Sequence, residues 1–480
     1  MIDTFVKKVH FPETFPVTCH TQHVGPYSTF VAIKGMKDDG THYIHEALQK
    51  GARVIVIEKD VQLDPLILEL IEWYKAQFLV VDNTRLALAH MSAQTLDFPA
   101  KKLKFMGITG TKGKTTTAFL AEHLLKTAGY KTALLSTVKN RILNTDLSAS
   151  LTTPQPDYLH VFFNICLQAG VEWVVMEVAA QALTLHRVEG IDFDLVIFTN
   201  FSQEHGEFYA TQDDYFAAKA QLLKQLKSTG IFIANADDDQ VMTLTAQPNK
   251  FLYSIDSEKV DLRLSILENT LKGLKVLVKN TDTQTEFLCP QLVGHFNAYN
   301  IASAIAGVQQ LSLNKRVITQ ALFTFPGVPG RLNSYKLPNG ATAFIDYAHN
   351  PASYEAVLST LRAYTSRLIV LFGGGGDRDQ LKRPIMGKIA AHYADVIILT
   401  SDNPRSEDPQ QIIQHIQAGI DASQRHKILV ELDRENAIHM AYKKSNPESI
   451  IVLLGKGPDE YQLIKDIKYP FSEAAILKSL

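Results

Sequence analysis

A lysine and a threonine that close a run of three regularly spaced glycines carry the sharpest chemical signal in this chain. Residues 104–130 read KFMGITGTKGKTTTAFLAEHLLKTAGY. A short apolar strand leads into Gly107, Gly110 and Gly113, and a helix follows with Ala118, Ala121, Leu124, Leu125 and Ala128 on one face. Glycines let backbone N–H groups close around phosphate oxygens, and a helix N-terminus adds partial positive charge there. Gly110, Thr111, Gly113, Lys114, Thr115 and Thr116 are therefore the expected phosphate cradle. Lys114 is placed to reach the β- and γ-phosphates, and the Thr115 hydroxyl to ligate Mg²⁺. The strict P-loop spacing would put its first glycine at Ile108, so the pattern departs from it. A chance glycine-rich turn is the plainer alternative. Strand, loop, Lys-Thr pair and helix occurring together favour ATP as the ligand.

Elements that could hold such a loop recur along the chain. VIVIE (54–58), FLVV (78–81), VVMEV (174–178), LVIFT (195–199), LIVLF (368–372), VIILT (396–400) and IIVLL (450–454) are continuous apolar runs bounded by polar or glycine-rich turns. Such runs are expected as strands buried on both faces of parallel sheets, which is α/β architecture. Residues 255–290 instead alternate apolar and polar, as an antiparallel addition would. DFPAKKLK, near residue 100, and FPGVPGR, near residue 330, interrupt the pattern. Three domains are expected: 1–100, 101–330 and 331–480.

Bulk properties narrow the class. A 480-residue chain exceeds one ordinary core. Its 48 basic and 50 acidic residues nearly cancel, which offers nothing to nucleic acid or a charged membrane surface. Cys19, Cys166 and Cys289 lack metal or redox spacing and fit a reducing compartment. The first residues form no signal-like apolar segment, and no apolar run could span a bilayer. A cytoplasmic enzyme acting on small molecules, monomeric and with no nucleic-acid or membrane partner, is the expectation.

Beyond the loop, LTTP (151–154), MEV (176–178), FTN (198–200), AAK (217–219), GHFNAYN (294–300), GVPGR (327–331), DYAHNP (346–351), GGGGDRDQLKRP (373–384), SDNPRSEDP (401–409) and GKGPDEYQ (455–462) follow in order. In this order the chain resembles the Mur ligases from about residue 20 to 465, and within them the branch that adds the third residue to a UDP-N-acetylmuramoyl dipeptide. The resemblance implies an N-terminal acceptor domain, a central P-loop-type parallel sheet with an added antiparallel sheet, and a C-terminal Rossmann-like domain. It implies ATP-dependent amide formation through an acyl phosphate, a reaction governed by neutralising charge around the transferred phosphoryl group. Lys114, Lys219, His205 and Arg331 take the catalytic roles; Thr115, Glu177, His205 and a carbamylated Lys219 take the metal roles. Asn297, Asn300, Arg331 and Asp346 are implied nucleotide contacts, with His349 in the same motif. Thr152, Thr153, Gln181 and Arg187 fall to the acceptor. Arg383, Asp402, Asn403, Arg405, Gly455 and Asp459 fall to the incoming amino acid. DNPR (402–405) resembles the form used with meso-diaminopimelate, whose distal carboxylate an arginine can hold bidentately and which lysine lacks.

Departures from the family pattern cluster on the acceptor side. Ala179-Ala180-Gln181 replaces Ser-Ser-His, His20-Thr21-Gln22 replaces Asp-Ser-Arg, Glu204-His205-Gly206-Glu207 replaces Asp-His-Leu-Asp, and Lys112 replaces an asparagine. Each lost charge-assisted contact would cost about 1.5–3 kcal/mol unless replaced. A paralogue with a different carboxylate acceptor, and a non-catalytic ATP-binding regulator, therefore stand as alternatives to the cell-wall ligase.

Overall fold

The computed structural model describes residues 10–35, 38–202, 208–281 and 283–480. Two compact units make up the chain: residues 1–265 with 278–285 and 299–321, and residues 266–277 with 286–298 and 322–480. Three main sheets organise them.

The first sheet holds β1 (Val17–Thr18), β2 (Thr29–Val31), β3 (Val54–Glu58) and β4 (Gln77–Val81), in that order and all parallel. Ile55, Val56 and Ile57 are buried as their apolar run requires. The run 78–81 also forms a strand, but the expectation of burial on both faces fails. It is the edge strand, and Phe78, Leu79 and Val80 are exposed.

The second sheet has eleven strands. They are β5 (Lys104–Thr109), β6 (Thr132–Leu135), β7 (Asn140–Ile142), β8 (Thr145–Leu147), β9 (Trp173–Glu177), β10 (Phe193–Phe198), β11 (Leu226–Asn235), β12 (Lys250–Ser254), β13 (Leu262–Thr270), β14 (Gly273–Asn280) and β15 (Gln284–Cys289). Their order is β15-β14-β13-β12-β11-β10-β5-β9-β6-β7-β8. From β12 through β6 neighbours run parallel. The alternating segment forms β13–β15, whose two- and three-residue connections allow only antiparallel neighbours. It extends the central sheet instead of forming a separate one. At the other end, β6, β7 and β8 form an antiparallel meander that the apolar runs did not signal. The helix Lys114–Thr127 after β5 buries Ala118, Leu120, Ala121, Leu124 and Leu125 completely. Each leucine there contributes about 1.5–3 kcal/mol of burial, which anchors the loop at the helix start.

The third sheet comprises β16 (Asn333–Lys336), β17 (Thr342–Asp346), β18 (Arg367–Phe372), β19 (Val396–Leu399), β20 (Ile428–Val430) and β21 (Ser449–Leu454). Its order is β16-β17-β21-β18-β19-β20, parallel except for β16. Helices flank it, and a hairpin of β22 (Tyr461–Ile464) and β23 (Ile467–Pro470) follows. In an open parallel sheet, ligands gather at the carboxyl ends of the strands. Both larger sheets place their candidate residues there.

Candidate active site

In the first unit the loop after β5 is shaped by close approach. Gly110 has φ 138°, and a Cβ on it would lie 2.1 Å from Thr199 Oγ1. Gly113, at φ 83°, starts the helix; a Cβ there would lie 2.3 Å from Asn300 Oδ1. Larger residues cannot occupy either position without moving the loop. Thr199 Oγ1 donates to Lys112 O at 2.6 Å, Lys112 N donates to Asn200 Oδ1 at 2.9 Å, and Thr111 N donates to Asn200 O at 2.8 Å. Thr199 and Asn200, at the end of β10, thus brace the loop from the adjacent strand.

Two lysines converge on this loop. Lys114 Nζ donates to Gly110 O at 2.8 Å and to Thr111 O at 3.1 Å. Lys219, 1% exposed on the helix Gln212–Ala220, donates to the same Gly110 O at 2.8 Å, and its Nζ lies 4.4 Å from the centre of the Tyr215 ring. Beside them Glu177, wholly buried at the end of β9, accepts from Thr115 Oγ1 at 3.1 Å. It also accepts from Thr137 N at 2.8 Å and Thr137 Oγ1 at 3.2 Å. Thr137 follows β6 and is a partner the sequence did not single out. Hydroxyl and carboxylate oxygens meeting beside a phosphate loop are the donor set a hard divalent cation takes.

The acceptor candidates continue from this point. Thr152 Oγ1 shares a 3.0 Å hydrogen bond with Thr137 Oγ1. Thr153 Oγ1 donates to Glu177 O at 2.9 Å and accepts from Ala179 N at 3.1 Å. Arg187 Nη1 donates to Thr153 O at 3.0 Å, while its buried Nε has no hydrogen-bond partner among the described residues. Gln181 is half-buried on the short helix Ala180–Thr184. The departing segment at 20–22 lies beside a further anchor: buried Asp157 accepts from Thr18 Oγ1 at 2.8 Å and Cys19 N at 3.1 Å. Thr116 is buried in the first turn of its helix, and Asn297 and Asn300 are buried on the helix His295–Gln309. Asn297 Nδ2 donates to Val293 O at 2.8 Å. His205 lies outside the described residues.

In the second unit, Asp346 ends β17. Its carboxylate accepts from Leu332 N and Ala348 N, each at 2.8 Å, and so fixes the chain on both sides of Arg331 and Tyr347. The Arg331 guanidinium lies 5.1 Å from the centre of the Tyr347 ring. His349 is exposed, with Nδ1 2.7 Å from Tyr347 O.

The amino-acid candidates gather after β18, β19 and β21. Arg383 is buried and bidentate to Glu407, at 2.8 and 2.9 Å, and also donates to Gly375 O at 3.0 Å. That ion pair holds the Glu407 carboxyl below its ordinary range. Arg383 is thereby engaged within the protein, and Glu407 is a partner that its place in SDNPRSEDP did not reveal. Arg405 has a left-handed backbone, φ 51°, a region that costs a non-glycine residue about 1–3 kcal/mol. Arg405 N to Leu463 O at 3.1 Å and Lys465 N to Arg405 O at 2.7 Å hold it there, and its guanidinium donates to Gly376 O. Asn403 Nδ2 lies 3.4 Å from Asp459 Oδ2, and burial raises the Asp459 carboxyl above its usual value. Asp402 is buried against Gly455, where a Cβ would lie 2.3 Å from Asp402 Oδ2.

Three family models cover these regions: the Mur ligase family catalytic domain over residues 16–95, the Mur ligase middle domain over 108–308, and the Mur ligase glutamate ligase domain over 330–457. Similar proteins include a UDP-N-acetylmuramoyl-L-alanyl-D-glutamate–2,6-diaminopimelate ligase of Aquifex aeolicus, 37% identical across 97% of this chain and 93% of its own. The protein of that name from Caldanaerobacter subterraneus is 35% identical across 95% and 92%. A solved structure of a ligase with that name superimposes with a TM-score of 0.67 at 27% identity, over 97% of this chain and 94% of the other. Among the described residues no helix is long and apolar enough to cross a membrane. With a glycine-rich loop, a braced carboxylate and candidate polar groups at the carboxyl ends of the strands in each larger sheet, and with these matches spanning nearly its whole length, this chain belongs to the Mur ligase family.

Proposed function

We propose that the protein is an ATP-dependent ligase that adds meso-diaminopimelate to UDP-N-acetylmuramoyl-L-alanyl-D-glutamate in the synthesis of peptidoglycan precursors. The observation that carries the reading is the meeting of Lys114 and Lys219 on one carbonyl, Gly110 O, beside the Thr115–Glu177 pair. Two cations and a chain of loop amides suit a triphosphate, and a hydroxyl–carboxylate pair suits Mg²⁺, which when bound neutralises phosphate charge.

The chemistry then balances. An oxygen of the acceptor's carboxylate attacks the γ-phosphorus, the bond to the ADP oxygen breaks, and an acyl phosphate forms. The amine attacks the acyl carbon and loses a proton; phosphate departs, leaving the amide. Lys114 follows the charge of the moving phosphoryl group, and Arg331 is a further source of positive charge for the nucleotide. Thr152, Thr153, Gln181 and Arg187 orient the acceptor, and Arg405 with Asn403 and Asp459 holds the amino acid. The adenine lies near Asn297 and Asn300. Lys219 is carbamylated: its amine nitrogen adds to CO₂ with loss of a proton. Residues 1–100, 101–330 and 331–480 serve as acceptor, ATP and amino-acid domains of a cytoplasmic monomer.

Phosphate release with ATP, Mg²⁺ and the UDP-muramoyl dipeptide tests the reading, with meso-diaminopimelate and L-lysine supplied in parallel and product mass measured. Turnover with meso-diaminopimelate is expected. Turnover with neither, while ATP still binds, would move the assignment to a ligase with another acceptor.

A further inference from the structure

The connection after β19 that carries Asp402, Asn403 and Arg405 is tied to the end of β21 by two buried cations. Arg434, fully buried on the helix Arg434–Lys444, donates to Leu454 O at 2.9 Å and to Ser401 O at 3.3 Å. Its Nε donates at 2.8 Å to Glu473, itself buried on the final helix Glu473–Ser479. Lys456 is equally inaccessible. Its Nζ donates to Asn403 Oδ1 at 2.9 Å and lies 3.8 Å from Asp402 Oδ1. Burial pulls the Lys456 ammonium below its ordinary value, against the opposing pull of Asp402.

This arrangement decides how Asn403 is turned. Its Oδ1 receives two donors, Lys456 Nζ and Leu463 N, the latter at 2.8 Å. The amide oxygen must therefore face inward, and the amide nitrogen faces Asp459. A methionine would fill a similar volume without the cost of burying a charge, so packing alone does not require lysine here. We propose that Lys456 is a positioning residue for the incoming amino acid: it fixes the orientation of Asn403 and Asp402, and with them the connection that presents Arg405. The proposal rests on the assignment of residues 402–405 and 459 to amino-acid selection.

The full-length enzyme with Lys456→Met and Lys456→Gln tests it. In Lys456→Met the KM for meso-diaminopimelate should rise about tenfold, the worth of one charge-assisted hydrogen bond, while the KM for ATP stays within about twofold. Glutamine can still donate to Asn403 Oδ1, so Lys456→Gln should return the KM to within about threefold of wild type. Equal changes in both KM values, or no rescue by glutamine, would overturn the proposal. If Lys456→Met does not fold, Lys456→Ala takes its place, with the same expected rise confined to the amino-acid KM, the same rescue by glutamine and the same overturning outcomes. Amide exchange separates this from the assignment of function. Exchange over residues 401–407 should quicken in the variant that folds, with residues 108–116 unchanged. Unchanged exchange over 401–407 would overturn the positioning role, whereas a wild type inactive with meso-diaminopimelate would overturn the functional reading instead.

Discussion

The two larger sheets put polar groups at the same carboxyl edge and stabilise them by different means. Around the phosphate loop, Lys114 and Lys219 rest on a backbone carbonyl, and the carboxylate of Glu177 is held by threonine hydroxyls and an amide. In the second unit, cations are matched by carboxylates: Arg383 by Glu407, Arg434 by Glu473, Lys456 by Asp402. The first gathers a loop carbonyl, hydroxyls and an amide around its charged groups, the arrangement that the proposed reading assigns to a triphosphate and its metal. The second matches its buried cations to carboxylates within the protein, and one of them, Arg434, ties the turns after β19 and β21 together. Under the proposed reading, a region that stabilises developing charge and a region that discriminates between amines call for these different solutions.

Breaking a matched pair should therefore injure folding, whereas removing a loop cation should injure rate. Glu473→Ala leaves Arg434 buried without its carboxylate and is expected to cost about 3–5 kcal/mol of stability, read as a lowered Tm. Lys114→Ala should lower kcat by a factor of about 10²–10³ with Tm nearly unchanged, measured by phosphate release. A comparable Tm loss in both variants would erase the contrast. Arg405→Ala should raise the KM for meso-diaminopimelate about tenfold to hundredfold, the range of one or two charge-assisted contacts, and leave the KM for ATP within about twofold. Equal effects on both substrates would remove Arg405 from amino-acid selection.

The smallest effect comes from a base inside the first unit that belongs to neither arrangement. His160 is buried with Nδ1 lacking a hydrogen-bond partner among the described residues, and burial, aided by His90, lowers its pKa to about 4. The unfolded chain takes up a proton near pH 6.5 and the folded chain only near 4. Stability is thus present above about 6.5 and is lost progressively as pH falls toward 4. Between pH 7.5 and 5.5 the loss from this group is about 1 kcal/mol. Denaturant unfolding of His160→Leu at both pH values should show a correspondingly smaller drop than wild type.

Much of this was legible in the sequence because it is local. Continuous Val/Ile/Leu runs identify β3, β9, β10, β18, β19 and β21, and GITGTKGKTTT contains both the loop and the helix that presents it. What escaped depends on which strand lies beside which. The exposure of Phe78, Leu79 and Val80 follows from β4 being an edge, and a run of five residues does not state its neighbours. Thr137 reaches Glu177 because β6 lies against β9, although they are forty residues apart in the chain. Glu407 sat in a quoted motif, but its match to Arg383 appears only when a helix from residue 382 is folded against that turn. Lys456 lies in GKGPDEYQ beside Gly455, and its match to Asn403 appears only when the turn 53 residues earlier is folded against it.

Placing the candidate groups on connections or at the last residue of a strand, and none in the middle of one, separates two kinds of inheritance. The strands beneath can keep their aliphatic content while the turns above them drift, since a substitution at residue 405 or 181 alters no buried apolar side chain. If the proposed roles hold, the turns after β19 and β21 can change which amine is joined, and the segments around 152 and 181 which acid is joined, while the turn after β5 keeps its phosphate chemistry. A lineage with this framework can exchange one reactant at a time and remain a working catalyst throughout.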